Sequence, residues 1–134
     1  MPGWSTVTRM QGTHLTADLR QCTCDAAWLT DAARLGERCV LAVQAVGLQP
    51  VARLFHSFGG ADGADGAPSG VTATVLLAES HLCLHTWPEW RAVSLDVYVC
   101  NVGADHSVQA RALMDALVAL FEPGSQRRQE LQRG

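Results

Sequence analysis

The sequence predicts an α/β fold, a two-layer sandwich with a mainly antiparallel sheet and helices on one face. Three observations carry that expectation. About five short segments have the alternation or β-branched content of strands. Two longer segments repeat apolar residues at three- and four-residue steps, as amphipathic helices do. The later strands are joined by links too short for a crossover, which leaves only antiparallel pairing. No domain boundary interrupts the 134 residues, so residues 1–134 read as one domain with a core of ordinary size.

In chain order, residues 1–11 read as a loose leader. His14-Leu15-Thr16-Ala17-Asp18-Leu19 alternates as a first strand behind Gly12. Asp25 opens a helical pattern through Trp28, Ala32, Leu35, Cys39, Val43 and Val46. Gly47 is a natural C-terminal cap there, and Pro50 bars continuation. Residues 51–58 form a second strand. Residues 59–70 are Gly, Ala, Asp, Pro and Ser, with Ala-Asp-Gly twice, and read as a mobile insertion. Residues 71–78, 82–87 and 92–99 complete the strands, with a turn at 88–91 where Pro88 would interrupt a central strand. Asp105 caps a second helix, with Val108, Ala112, Leu113, Ala116, Leu117 and Leu120 on its apolar face. Pro123-Gly124 ends it, and residues 122–134 read as a frayed polar tail.

Composition narrows the function. A net charge of -3 offers no basic footprint for nucleic acid, so a small molecule or a protein is the expected partner. The N-terminus lacks the pattern of a signal peptide, and no apolar run reaches the length of a membrane span, so no membrane partner is expected. The cysteines, 22, 24, 39, 83 and 100, are odd in number and suit a reducing, cytoplasmic setting. Cys22-Thr23-Cys24 could supply half a metal site, but no second half is evident. All ten basic residues are arginine. Without lysine the chain cannot anchor pyridoxal phosphate as a Schiff base, so any amine chemistry needs another carbonyl.

The reactive groups concentrate in one stretch, from Ala78 to Glu89, with Cys100 shortly downstream. On a strand, His81, Cys83 and His85 project to one face. That pattern fits packed or surface residues, or zinc ligation. Glu79-Ser80-His81 also admits a nucleophilic serine with His85 as its base. It is not the Gly-x-Ser-x-Gly elbow of hydrolases. Residue chemistry alone leaves a reactive serine and a metal-binding strand both open.

The stretch Glu79-Ser80-His81-Leu82-x-Leu84-His85-Thr86-Trp87-Pro88-Glu89 resembles the self-processing motif of prokaryotic pyruvoyl-dependent S-adenosylmethionine decarboxylases. Asp96-Val97-Tyr98-Val99-Cys100 follows at that family's spacing. The likeness extends to Gly12-x-His14-Leu15, Phe55-His56-x-Phe58 and Gly70-Val71, and covers about residues 12–121. It implies a proenzyme in which the Ser80 hydroxyl attacks the Glu79 carbonyl to give an ester. Loss of the Ser80 α-proton then expels the Glu79 carboxylate, and hydrolysis of the dehydroalanine leaves a pyruvoyl group. The products are a β chain, 1–79, and an α chain, 80–134.

The resemblance makes His85 the processing base, with Thr72 beside it, and Cys100 the proton donor to the product carbon. The covalent pyruvoyl cofactor would supply the carbonyl that the missing lysine leaves wanting. Phe58 and Trp87 would sandwich the adenine of S-adenosylmethionine, with Trp87 reaching across a homodimer interface, and Glu89 would hold the ribose. No metal is part of that site, and the product would serve polyamine synthesis. The chain departs from the family pattern at Thr72-Ala73, where Ser-Gly is usual, and at Arg91-Ala92. Those departures admit an alternative substrate, arginine or ornithine, with Asp62, Asp65 or Glu89 answering its charge. They also admit an uncleaved homologue.

Overall fold

The computed structural model describes residues 11–58 and 69–134. Six strands form one antiparallel sheet in the order β2-β3-β4-β5-β1-β6. They are β1 (Gly12–Arg20), β2 (Pro50–Ser57), β3 (Val71–Leu77), β4 (Ser80–Trp87), β5 (Ala92–Cys100) and β6 (Ser125–Arg133). Helices α1 (Ala27–Thr30), α2 (Ala32–Ala45) and α3 (Ser107–Phe121) all pack on one face. The expected two-layer α/β sandwich is therefore what the chain adopts.

Alternation along each strand decides which residues meet the helices. Leu15, Ala17 and Leu19 of β1, Leu82 and Leu84 of β4, and Val93, Leu95, Val97 and Val99 of β5 are buried on that face. They close on Leu35, Cys39 and Val43 of α2 and on Leu113, Met114, Leu117 and Phe121 of α3. The α2 helix covers β2 and β3, while α3 covers β5 and β1. Among the described residues, no helix covers the opposite face.

Two sequence expectations need correction. The first helix breaks at Asp31, whose extended backbone and side chain, accepting from Arg34 N at 3.1 Å, start α2 afresh. Apolar spacing ran through that break because both pieces face the same core. The tail is a sixth strand rather than a frayed end: residues 125–133 pair with β1 over its whole length. Every residue of β6 is exposed, so no alternation of polarity marked it in sequence. Main-chain bonds to the free edge of β1 hold it, with Arg111–Glu130 and Arg128–Asp115 pairs to α3. The expectations for residues 1–10 and 59–68, Asp62 and Asp65 included, lie outside the described residues.

Candidate active site

Ser80 opens β4 directly after a two-residue hairpin turn, Ala78-Glu79, since Leu77 pairs with Ser80. Glu79 holds φ 62, the left-handed region that costs a residue with a Cβ about 1 kcal/mol or more. The strained residue is the one that carries the acyl carbon next to the serine. Ser80 Oγ accepts from the backbone N–H of Cys100 at 3.2 Å. The Cys100 thiol is half-buried and unpaired with any other cysteine. Its register partner is Gly12, where a Cβ would collide with the Tyr98 ring. One end of the sheet thus gathers Glu79, Ser80 and Cys100.

The other end gathers the aromatic residues. His85 sits between Phe58 and Trp87, with ring centroids 5.8 Å and 4.2 Å away. Trp87 stacks at 29° on Trp90, and the two line a cleft of about 230 Å³ with Asp18, Arg20 and Ser94. Thr72 lies directly opposite His85 in the β3–β4 register. Buried Thr86 fixes this end. Its hydroxyl donates to Leu29 O at 2.7 Å and accepts from Val71 N at 2.8 Å. Gly70 packs against the Thr86 carbonyl where no side chain fits, and its own carbonyl accepts from Phe58 N at 3.0 Å. Thr86 received no role from the sequence, and its only signal was a hydroxyl at an inward position.

Ser80 and His85 are not brought together within one chain. They are five residues apart along β4, about 16 Å at the usual rise. That separation keeps the His85 ring away from the Ser80 hydroxyl of its own chain. Phe58, Thr72, His85 and Trp87 form one group, and Glu79, Ser80 and Cys100 another. Glu89 lies exposed in the 3-10 turn Pro88–Trp90, beyond the aromatic end.

Of the residues that depart from the motif, Thr72 faces the open side with His85, while Ala73 and Arg91 do not. Ala73 pairs with buried Leu84 and packs on the core, so its Cβ points away from Thr72 and His85. Arg91, at φ 47, donates from Nε to Cys22 O at 2.7 Å and from its other guanidinium nitrogen to Cys24 O. Its charge is spent on the loop after β1. Burial, then the neighbouring Cys24, push the Cys22 thiol up to about 11, against the opposing pull of Arg91. Burial likewise raises Cys24, and pushes Cys39 up to about 12.

Between the two ends the open face carries a polar cluster. His14 Nε2 is 3.0 Å and His81 Nε2 3.8 Å from Asp96 Oδ2. Tyr98 stands between the two imidazoles, with centroids 5.7 Å and 5.6 Å away. Cys83, opposite Asp96, donates its thiol to Thr74 Oγ1 at 3.4 Å. As expected, His81, Cys83 and His85 share one face; the contribution of Asp96 from the next strand was not visible in their spacing.

Comparisons with known proteins identify the family. A family model described as S-adenosylmethionine decarboxylase matches residues 13–134. A protein of Picrophilus torridus named S-adenosylmethionine decarboxylase proenzyme is 32% identical over 92% of this chain and 84% of its own length. One of the same name from Acidithiobacillus ferrooxidans is 29% identical over 94% of this chain and 84% of its own. The crystal structure of the adenosylmethionine decarboxylase from Aquifex aeolicus superposes with a TM-score of 0.77 at 30% identity, covering 94% of this chain and 92% of that one. With nearly its whole length accounted for, the chain belongs to the S-adenosylmethionine decarboxylase family.

Proposed function

We propose that the chain is a proenzyme that cuts itself between Glu79 and Ser80 and then decarboxylates S-adenosylmethionine, yielding an aminopropyl donor for polyamine synthesis. The observation that carries this reading is the hairpin tip: a left-handed Glu79 presents its carbonyl beside a serine hydroxyl already held by the Cys100 N–H. Ester formation moves the acyl group from nitrogen to Oγ and relieves the turn. Removal of the Ser80 α-proton expels the Glu79 carboxylate, and water entering with ammonia leaving completes the pyruvoyl end. The N–H of Cys100, aimed at the Ser80 side chain, fits a carbonyl oxygen there equally well. Once formed, the pyruvoyl group supplies the electron-poor carbonyl that an amino-acid decarboxylation requires.

The chain's own residues do the rest. Cys100, whose backbone N–H holds Ser80 Oγ, supplies the thiol that protonates the carbon left by CO₂. His85 serves as processing base, with Thr72 opposite it. Phe58 and Trp87 offer flat faces for adenine and for the sulfonium cation, and Glu89 offers acceptors for ribose hydroxyls. Because Ser80 and His85 lie at opposite ends of β4, the complete site needs a second copy. Two open faces stacked about a two-fold axis across the strands bring the Ser80–Cys100 end of one copy over the aromatic end of the other. Exposed Leu54, Phe58, Leu76 and Leu131 on that face favour such cover. No helix of the described residues is long and apolar enough to cross a membrane. We place the enzyme in the cytoplasm on its free thiols.

Arginine or ornithine is the weaker substrate reading, since Arg91 is bound to the Cys22 and Cys24 carbonyls rather than turned to the open face. The test pairs mass spectrometry with labelled substrates. Purified protein should yield fragments 1–79 and 80–134, the second reactive toward carbonyl reagents. It should release CO₂ from carboxyl-labelled S-adenosylmethionine and not from arginine or ornithine. Ser80→Ala should remain one chain and release none. An intact wild-type chain after long incubation, or release from a basic amino acid alone, would overturn the proposal.

A further inference from the structure

We infer that the middle of the open face is a site for a divalent transition metal of the zinc class, held by His81, Cys83 and Asp96. An imidazole nitrogen, the Cys83 sulfur and an Asp96 oxygen all lie within 4.8 Å of one another. Bond lengths of about 2.0–2.3 Å to zinc place tetrahedral donors roughly 3.3–3.8 Å apart. Small side-chain rotations therefore close the site without moving backbone. The backbone is fixed in any case: Cys83 faces Asp96 in the β4–β5 register, and His81 is the next outward residue on β4.

The donor set selects the metal. One thiolate, one imidazole and one carboxylate suit Zn²⁺ or Co²⁺, whereas Mg²⁺ and Ca²⁺ take oxygen ligands. Binding would displace the Cys83 proton to solvent, and the Thr74 hydroxyl that now accepts from the thiol would turn to donate to the thiolate. His14, hydrogen-bonded to Asp96 Oδ2 at 3.0 Å, holds the carboxylate as an outer partner. The Tyr98 ring packs against both imidazoles, at 5.7 Å from His14 and 5.6 Å from His81. Three protein ligands leave a fourth position for water or an added ligand, directed away from the helices. None of His14, His81 and Cys83 has a part in the processing or decarboxylation proposed above. The site also lies near the midpoint between Ser80 and His85, so in the stacked dimer it falls close to the two-fold axis.

The test reads metal, not activity. Chelator-treated protein is titrated with Co²⁺ while absorption is followed, and bound metal per chain is counted. One Co²⁺ per chain is expected, with a thiolate-to-cobalt charge-transfer band that Zn²⁺ abolishes by displacement. Cys83→Ser should remove the band, and His81→Ala and Asp96→Asn should each weaken binding by about tenfold or more. Cys100→Ser should keep the band. Circular dichroism verifies that each variant is folded, and at least one must be for the comparison to count; Cys83→Ser, half-exposed and nearly isosteric, is chosen for that. Absence of saturable binding to wild type, survival of the band in Cys83→Ser, or its loss in Cys100→Ser would each overturn the inference.

Discussion

The two faces of the one sheet make opposite use of neighbouring residues. Along β4 and β5 the inward set is Leu82, Leu84, Thr86, Val93, Leu95, Val97 and Val99. The outward set is His81, Cys83, His85, Trp87, Ser94, Asp96, Tyr98 and Cys100. Apart from Thr86, whose hydroxyl is bonded to Leu29 O and Val71 N, each inward residue is interchangeable with another of similar volume, because its role is to fill space against α2 and α3. Each outward residue depends on its functional group. Stability and chemistry are thus written on alternate letters of the same strands, and a single-residue slip in register would exchange them.

The largest test concerns the two ends of β4. Ser80→Ala and His85→Ala should each be inactive alone. Co-expressed, they should recover activity, because a mixed dimer holds one site with both residues intact. Random pairing predicts about a quarter of wild-type sites. Persistent inactivity of a proven mixed dimer would mean that His85 acts elsewhere. Next, Leu84→Ala should cost about 2–5 kcal/mol in denaturant unfolding, through the cavity it leaves. Its outward neighbour Cys83→Ser should stay within about 1 kcal/mol of wild type. Equal losses at the two positions would erase the distinction between faces.

The smallest effect belongs to the edge. Hydrogen bonds from Arg111, 2.9 and 2.8 Å long, hold the Glu130 carboxyl below its ordinary range, with the guanidinium charge adding to the effect. A carboxyl held low in the folded state stabilises above its unfolded pKa, and that contribution fades as pH falls through the folded value. Hydrogen exchange at β6 should therefore accelerate, relative to β4 and β5, when the pH drops below the ordinary carboxylate range. Glu130→Gln should produce the same relative loosening at neutral pH.

The sheet and both long helices were legible because their apolar residues keep strict periods. The family motif was legible because Glu79, Ser80 and His85 fall within seven residues and Cys100 follows fifteen residues after His85. Three things were not. The β6 strand has no inward apolar set, and backbone pairing leaves no trace in residue type. The Asp31 break is a matter of one side chain capping a helix within an unbroken apolar pattern. The wide separation of Ser80 from His85 is visible only when the strand is laid straight; in sequence the five-residue gap looks like proximity.

The strand order has a consequence for the life of the molecule. A cut between Glu79 and Ser80 assigns β1, β2 and β3 to one fragment and β4, β5 and β6 to the other. In the sheet they do not lie side by side: β1 of the first fragment is threaded between β5 and β6 of the second. Three seams, β3–β4, β5–β1 and β1–β6, bind the fragments, and every one is a full ladder of main-chain hydrogen bonds. The severed protein would stay whole without any covalent tie, yet it could be assembled only before the cut. Unfolded afterwards, it would face a bimolecular search between two fragments that each lack half a sheet. With such a cut, the intact chain would be the template on which its own fragments are interlocked, and maturation would be a one-way passage from a foldable polymer to a kinetically held pair.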